Sequence, residues 1–322
     1  MIVSRRFLPT LWAAATLTIF ALPGVVTAQA SAQSVAAPAS TVRLHVQALG
    51  AAGTTFAYAE LGQGRPLLLL NGTGSPMNEW DPALLASLAG SHRVVVFDYP
   101  GIGLSGPSPG RWLFNSAADW TAAFLERLLP GQSVDVLGWS MGGFIAQRMA
   151  VQHPRLVHRL ILAGTNPGGD GAVLGPAWVQ AADSQVDETD KTYLSTNYPH
   201  TSVAQAAGRS FLQRLQRAVD SGAYPAETVP SPTYRAMVAA EDPWLRSNAN
   251  AQELARIQTR TLVITGVRDV ITPAANSRRL ASLIPGATLR LIADAGHSFL
   301  FQNPGRAARI FTAFLDPPFN GS

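Results

Sequence analysis

Short apolar runs alternate with helical stretches along most of this chain, and that alternation constrains its fold more than any other feature. Strands are expected at 42–49, 54–60, 65–70, 93–98, 134–137, 160–163, 261–266 and 288–292. Helices are expected at 82–89, 116–129, 143–150 and 304–315. Strand–helix–strand order of this kind leads to parallel pairing with helices covering both faces. The expected class is therefore α/β, with a mostly parallel central sheet. The order breaks between 165 and 257. That stretch has no convincing buried strand and reads as helices, for example 203–218, punctuated by Pro176, Pro199, Pro225, Pro230 and Pro243. It is expected to form a helical cap (165–257) inserted into a core made of 41–164 and 258–318.

Gly138-Trp139-Ser140-Met141-Gly142 lies between the apolar run Val134-Asp135-Val136-Leu137 and a stretch of helical composition. A serine at a sharp strand-to-helix turn has its hydroxyl pushed out of the sheet, where a base can reach it. The flanking glycines let strand and helix approach closely around it. A serine hydroxyl is a weak nucleophile near neutral pH, so it needs a base, and the base needs an orienting partner. Asp269 falls in the loop after the strand at 261–266, and His297 in the loop after the strand at 288–292. Gly296 is expected to let the backbone turn so that the imidazole faces the serine.

Asn71-Gly72-Thr73-Gly74, Asp98-Tyr99-Pro100-Gly101-Ile102-Gly103-Leu104-Ser105, the serine turn, and the Asp269 and His297 loops occur in that order. With them the chain resembles the α/β-hydrolase superfamily from about 42 to 314, and is most similar to its small esterases and cofactor-free haloperoxidase-like members. The resemblance implies that Ser140 is the nucleophile, His297 the general base and acid, and Asp269 the orienting carboxylate. It implies an oxyanion hole built from the backbone N–H groups of Met141 and Thr73. Many relatives have His-Gly where this chain has Asn71-Gly72, which leaves the packing of that loop and the substrate preference open.

Each assignment has rivals. Ser140 and His297 could be ordinary turn residues. Asp98, Asp135, Asp170 and Asp294 compete with Asp269, although Asp294 is too close in sequence to reach the far nitrogen of His297. Some relatives carry the acid after the sixth strand, where this chain has Asn166. The remaining histidines read as surface or capping groups. Gly101-Ile102-Gly103-Leu104-Ser105-Gly106 matches a dinucleotide fingerprint, but Pro107-Ser108-Pro109-Gly110 follows it where a helix is required. No cofactor and no metal are expected.

Trp139, Trp80 and Trp178 are candidates for the substrate pocket. Tyr193, Tyr198, Phe211, Tyr234 and Trp244 could line it or pack the cap onto the core. Arg5 and Arg6, an apolar run at 11–21 and the small residues Ala28-Gln29-Ala30 read as a signal peptide (1–30), followed by a flexible leader (31–40). That predicts export to the periplasm or beyond, with no stable membrane anchor after cleavage. The absence of cysteine excludes disulfides, and a net charge of +4 with scattered arginines gives no support for a nucleic-acid partner. Three functions remain in view. The first is a secreted serine hydrolase acting on a small ester or lactone. The second uses the same residues for carbon–carbon bond hydrolysis or perhydrolysis. The third is a noncatalytic binding protein.

Overall fold

A computed structural model describes residues 2–3, 42–183, 185 and 188–316. Among the described residues, eight strands form one sheet: β1 (Gln47–Ala51), β2 (Thr54–Leu61), β3 (Arg65–Leu70), β4 (His92–Phe97), β5 (Val134–Trp139), β6 (Val157–Ala163), β7 (Arg260–Gly266) and β8 (Thr288–Ile292). Their spatial order is β8-β7-β6-β5-β3-β4-β2-β1. β1 and β2 pair antiparallel, as do β2 and β4, and every other pair is parallel. The expected class is the observed one.

The apolar runs follow from burial on both faces. Alternate residues of a strand point to opposite sides. In β3, Leu67 and Leu69 face a cluster with Leu84 and Leu88 of α1 (Pro82–Ala89) and Phe311 of the last helix. Leu68 and Leu70 face the other cluster, with Phe124 of α2 (Phe114–Leu128) and Ile145 of α3 (Met141–Gln152). α1 starts as its sequence dictates. Asp81 caps it by accepting from Ala83 N at 2.9 Å, and Pro82 fills the first turn, where no N–H acceptor exists.

The sheet edge differs from expectation. The first strand begins at Gln47, not at 42, because Leu44 leaves the sheet edge: it is buried, and its N–H donates to the carbonyl of Ala223. β1 and β2 are joined by Ala52 and Gly53, both at positive φ (50° and 77°), a two-residue hairpin turn. His92 is also fully buried, with Ser91 Oγ 2.9 Å from Nδ1, and is no surface histidine.

Among the described residues, six helices lie between β6 and β7: α4 (Ala177–Asp183), α5 (Asp190–Asn197), α6 (Ser202–Asp220), α7 (Ser231–Ala239), α8 (Glu241–Arg246) and α9 (Ala249–Glu253). α10 (Ala274–Leu283), α11 (Phe299–Gln302) and α12 (Pro304–Leu315) follow. The inserted helices pack tightly onto the core. Phe211 of α6 stacks on Phe301 at 4.5 Å, and Tyr193 and Tyr198 are buried in the same cluster. Arg214 of α6 grips the buried Asp81 with two hydrogen bonds of 2.9 and 2.5 Å. Of the expected signal peptide only Ile2–Val3 is described, paired with Val229–Pro230; the rest of it and the leader lie outside the described residues. No described helix is long and apolar enough to cross a membrane.

Candidate active site

The loops at the C-terminal ends of β3, β5, β6, β7 and β8 converge on one edge of the sheet, where parallel sheets bind their ligands. Ser140 follows β5 directly. Its backbone adopts φ 55° and ψ −124°, a conformation rare for a residue with a side chain. Neighbours enforce it. Ser140 N donates to Ala163 O at 3.0 Å, and Gly143 N donates to Ser140 O at 2.8 Å. A Cβ on Gly138 would collide with the carbonyl of Gly142, and one on Gly142 with that of Leu70. Both glycines are therefore required by close backbone approach.

Asp269 and His297 are brought together. His297 Nδ1 lies 3.0 Å from Asp269 Oδ2, and both side chains are buried. The carboxylate is held from every side. Oδ2 also accepts from the hydroxyls of Thr265 and Thr272, each at 2.9 Å, while Oδ1 accepts from Ile271 N at 3.0 Å and Thr272 N at 2.8 Å. Gly164 gives the pair room. Its φ is +53°, and a Cβ there would sit 3.3 Å from the imidazole.

The His297 loop is clamped by the cap. Ser298 N donates to Asn197 O at 3.1 Å, and Ser298 Oγ to Asn197 Oδ1 at 2.9 Å. The Tyr193 hydroxyl lies 3.0 Å from Ser298 Oγ. Gly296 is not at positive φ, so a left-handed backbone is not what requires a glycine there. It makes way for the carbonyl of Asn197, which would lie 2.5 Å from a Cβ at that position.

Asn71 resolves the loop that the sequence left open. It is buried, donates from Nδ2 to Pro76 O at 2.9 Å, and accepts Gly72 N at 3.0 Å. The Gly72 N–H is thus occupied, and Thr73 is the next donor along. The loop abuts the serine: a Cβ on Gly72 would be 3.5 Å from Ser140 Cβ. Met141 opens α3, so its N–H belongs to the first turn, which has no intrahelical acceptor.

Ser140, Thr73 and Thr272 line one cavity of about 180 Å³, walled by Phe144, Trp244 and Leu245. None of the three candidate tryptophans lines this cavity. Trp139 lies under the histidine, its ring centroid 5.3 Å from the imidazole and its Nε1 donating to His297 O at 3.2 Å. Trp80 is fully buried, edge-on to Phe301, and Trp178 is half exposed on α4. Sequence adjacency to Ser140 does not decide which way a side chain faces. Trp244 holds its wall position through Nε1, which donates to Asn166 Oδ1 at 2.9 Å.

The rival carboxylates have other partners. Asp98 accepts from Met77 N at 2.7 Å and Leu104 N at 2.8 Å, which pins the Gly101–Gly106 turn and leaves no helix to bind a pyrophosphate. Asp135 pairs with His158 at 2.7 Å, Asp170 with Asn248 at 2.9 Å, and the exposed Asp294 with Arg268 at 3.2 Å. Among the described residues, no group of three or more His, Asp or Glu side chains is arranged to hold a metal ion.

Residues 65–304 match the model of the alpha/beta hydrolase fold family. The chain belongs to the α/β-hydrolase family. It is 31% identical over 255 residues to a poly(3-hydroxyalkanoate) depolymerase of Ectopseudomonas oleovorans, covering 78% of this chain and 84% of that protein. A 2-hydroxymuconate semialdehyde hydrolase of Pseudomonas sp. strain CF600 is 28% identical over 275 residues, covering 82% and 92%. A polyketide synthase of Burkholderia thailandensis matches at 30% over 79% of this chain, which spans only 12% of that protein's length. Among solved structures, an alpha/beta hydrolase fold protein from Chitinophaga pinensis superposes with a TM-score of 0.72 at 24% identity, covering 87% of this chain and 98% of that one, a likeness of fold. With relatives of these kinds, the protein is a hydrolase.

Proposed function

We propose that this hydrolase cleaves a small ester or lactone through an acyl-enzyme on Ser140, with Asp269 and His297 completing the triad. The observation that carries the reading is the buried 3.0 Å contact between His297 Nδ1 and Asp269 Oδ2, set beside a serine in a strained strand-to-helix turn. In this mechanism Ser140 Oγ attacks the carbonyl carbon while His297 takes its proton. The negative charge that develops on the carbonyl oxygen is met by the N–H groups of Met141 and Thr73. Collapse expels the alcohol, protonated by His297. Water, deprotonated by His297, then releases the acid and restores Ser140. Asp269 orients the imidazole and stabilises its charged form without itself taking the proton.

The cavity of about 180 Å³ is small beside the roughly 300–1,000 Å³ of pockets that take drug-sized ligands. It favours short or aromatic acyl groups, with no activation at an oil–water interface. One methylene changes binding by about 1–3 kcal/mol, so the preference is graded. A panel of chromogenic esters of rising acyl length tests this. Activity should peak at short chains and fall beyond them. A rate that climbs steadily to long acyl chains would overturn the reading of the cap. The likeness to a semialdehyde hydrolase supports a second reading, carbon–carbon bond hydrolysis by the same residues, for which turnover of dienone acids but not of esters would be the sign. Export, through the basic and apolar start of the chain, is part of the same proposal, and detection of the mature protein outside the cytoplasm tests it.

A further inference from the structure

Trp244 of α8 stands between two cavities. On one side is the cavity of about 180 Å³ that contains Ser140. On the other is a second cavity of about 270 Å³, with Leu113, Phe114, Ala240 and Pro243 in its lining. Among the described residues, Trp244 alone lines both. Three rings make the partition. Trp244 packs against Phe144 of the first cavity at 5.0 Å and against Phe114 of the second at 5.4 Å, and the two phenylalanines meet at 5.0 Å. The indole is held in place. Its Nε1 donates to Asn166 Oδ1 at 2.9 Å, and Gly168 lies so close that a Cβ there would sit 3.0 Å from Nε1. In the second cavity Arg148 donates to Asn250 at 3.2 Å and to Glu253 at 2.6 Å, so its charged groups answer one another.

We propose that Trp244 is the residue that limits acyl length: its indole ends the pocket at Ser140 and closes off a second cavity that can carry a longer acyl chain. The inference rests on the ester-hydrolase reading of Ser140 and deepens it. His297 must reach the leaving oxygen, so the alcohol lies on the side of His297 and Thr272. The rest of the lining, with Phe144 and Trp244, is left to the acyl group. A close-packed wall of rings yields little, because moving it forces side chains off their rotamers. Swinging the indole aside would also break its bond to Asn166, and a buried indole N–H needs an acceptor. An acyl chain that outgrows the first cavity therefore meets the indole before its carbonyl can seat against the N–H groups of Met141 and Thr73. Nothing in the sequence marks this stop, because the bond that holds it spans 78 positions.

The test compares kcat/KM for p-nitrophenyl butanoate and octanoate, and for ethyl and hexyl butanoate followed by proton release. The wild-type enzyme should cleave the octanoate at least tenfold less efficiently than the butanoate. Trp244→Ala should raise the octanoate-to-butanoate ratio at least tenfold, and Trp244→Leu provides the same comparison should the alanine variant fold poorly. Ser247 and Ala249 are exposed and line the second cavity but not the first. Ser247→Trp or Ala249→Trp, added to the Trp244 variant, should lower the ratio again at least threefold, and in the wild-type background should leave it within twofold. Wild-type cleavage of the octanoate within tenfold of the butanoate would overturn the proposal. So would a ratio that the Trp244 variant leaves unchanged, a gain confined to hexyl butanoate, or a gain that neither added tryptophan reduces. A different result separates the two readings: no turnover of any of the four esters and no acylation of Ser140 would remove the ester-hydrolase reading, and the length limit with it.

Discussion

At the scale of single residues, Ser140, Asp269 and His297 are legible in the sequence because each sits in a loop directly after an apolar strand. Their support is not. Thr272 donates its hydroxyl to Asp269 Oδ2 at 2.9 Å and lies 3.2 Å from His297 Nδ1. It holds the carboxylate in place from within the same turn. An aspartate followed three positions later by threonine and then proline is the local signal that could have found it, since such side chains accept from the backbone N–H groups ahead of them. Thr272→Val removes one hydrogen bond to a charged group, worth about 1.5–3 kcal/mol. Steady-state kinetics should show kcat/KM lowered about 10–100-fold, with the protein still folded by circular dichroism. A wild-type rate would mean that the other donors to Asp269 suffice. Gly164 and Thr265 are equally invisible in the sequence, because their importance comes from what lies against them after β6 and β7 meet.

At the scale of elements, the alternating strands and helices were readable because each apolar run is short and bounded by polar turns. The sheet edge was less so: Leu44 leaves the ladder for a bond to the cap, which no local pattern encodes. The helices between β6 and β7 are legible in the sequence, but the contact of α5 with the His297 loop is not. The end of α5 clamps the His297 loop through Asn197, whose carbonyl and side-chain oxygens both accept from Ser298. Misplacing a catalytic group by about 1 Å can cost on the order of 100-fold. Asn197→Ala should therefore lower kcat by about tenfold or more while leaving KM for a short ester little changed. Unchanged kcat would show that Tyr193 and the backbone contacts fix this loop without the amide.

At the scale of the whole molecule, the inserted segment and the core share both hydrophobic clusters, and the stretch around Glu227 ties them together further. Glu227, in the segment before α7, accepts from Asn78 N at 3.0 Å, and its neighbour Thr228 accepts from Gly103 N at 3.0 Å. Burial, with the Asp98 carboxyl second, pushes Glu227 from its ordinary 4.5 up to about 10. The folded protein therefore keeps a proton that the unfolded chain releases. Stability from this group is fully present below pH 4.5 and is lost progressively as pH rises through about 10. Glu227→Gln, which cannot ionise, should flatten the fall in Tm between pH 5 and 10 measured by thermal unfolding; a slope equal to wild type would place the proton elsewhere. The central claim, an acyl-enzyme on Ser140, is tested most directly by mass spectrometry after treatment with a fluorophosphonate, wild type and Ser140→Ala side by side. The account predicts one adduct per wild-type chain, on the peptide carrying Ser140, and none on the variant. An adduct on another residue, or equal labelling of Ser140→Ala, would contradict it.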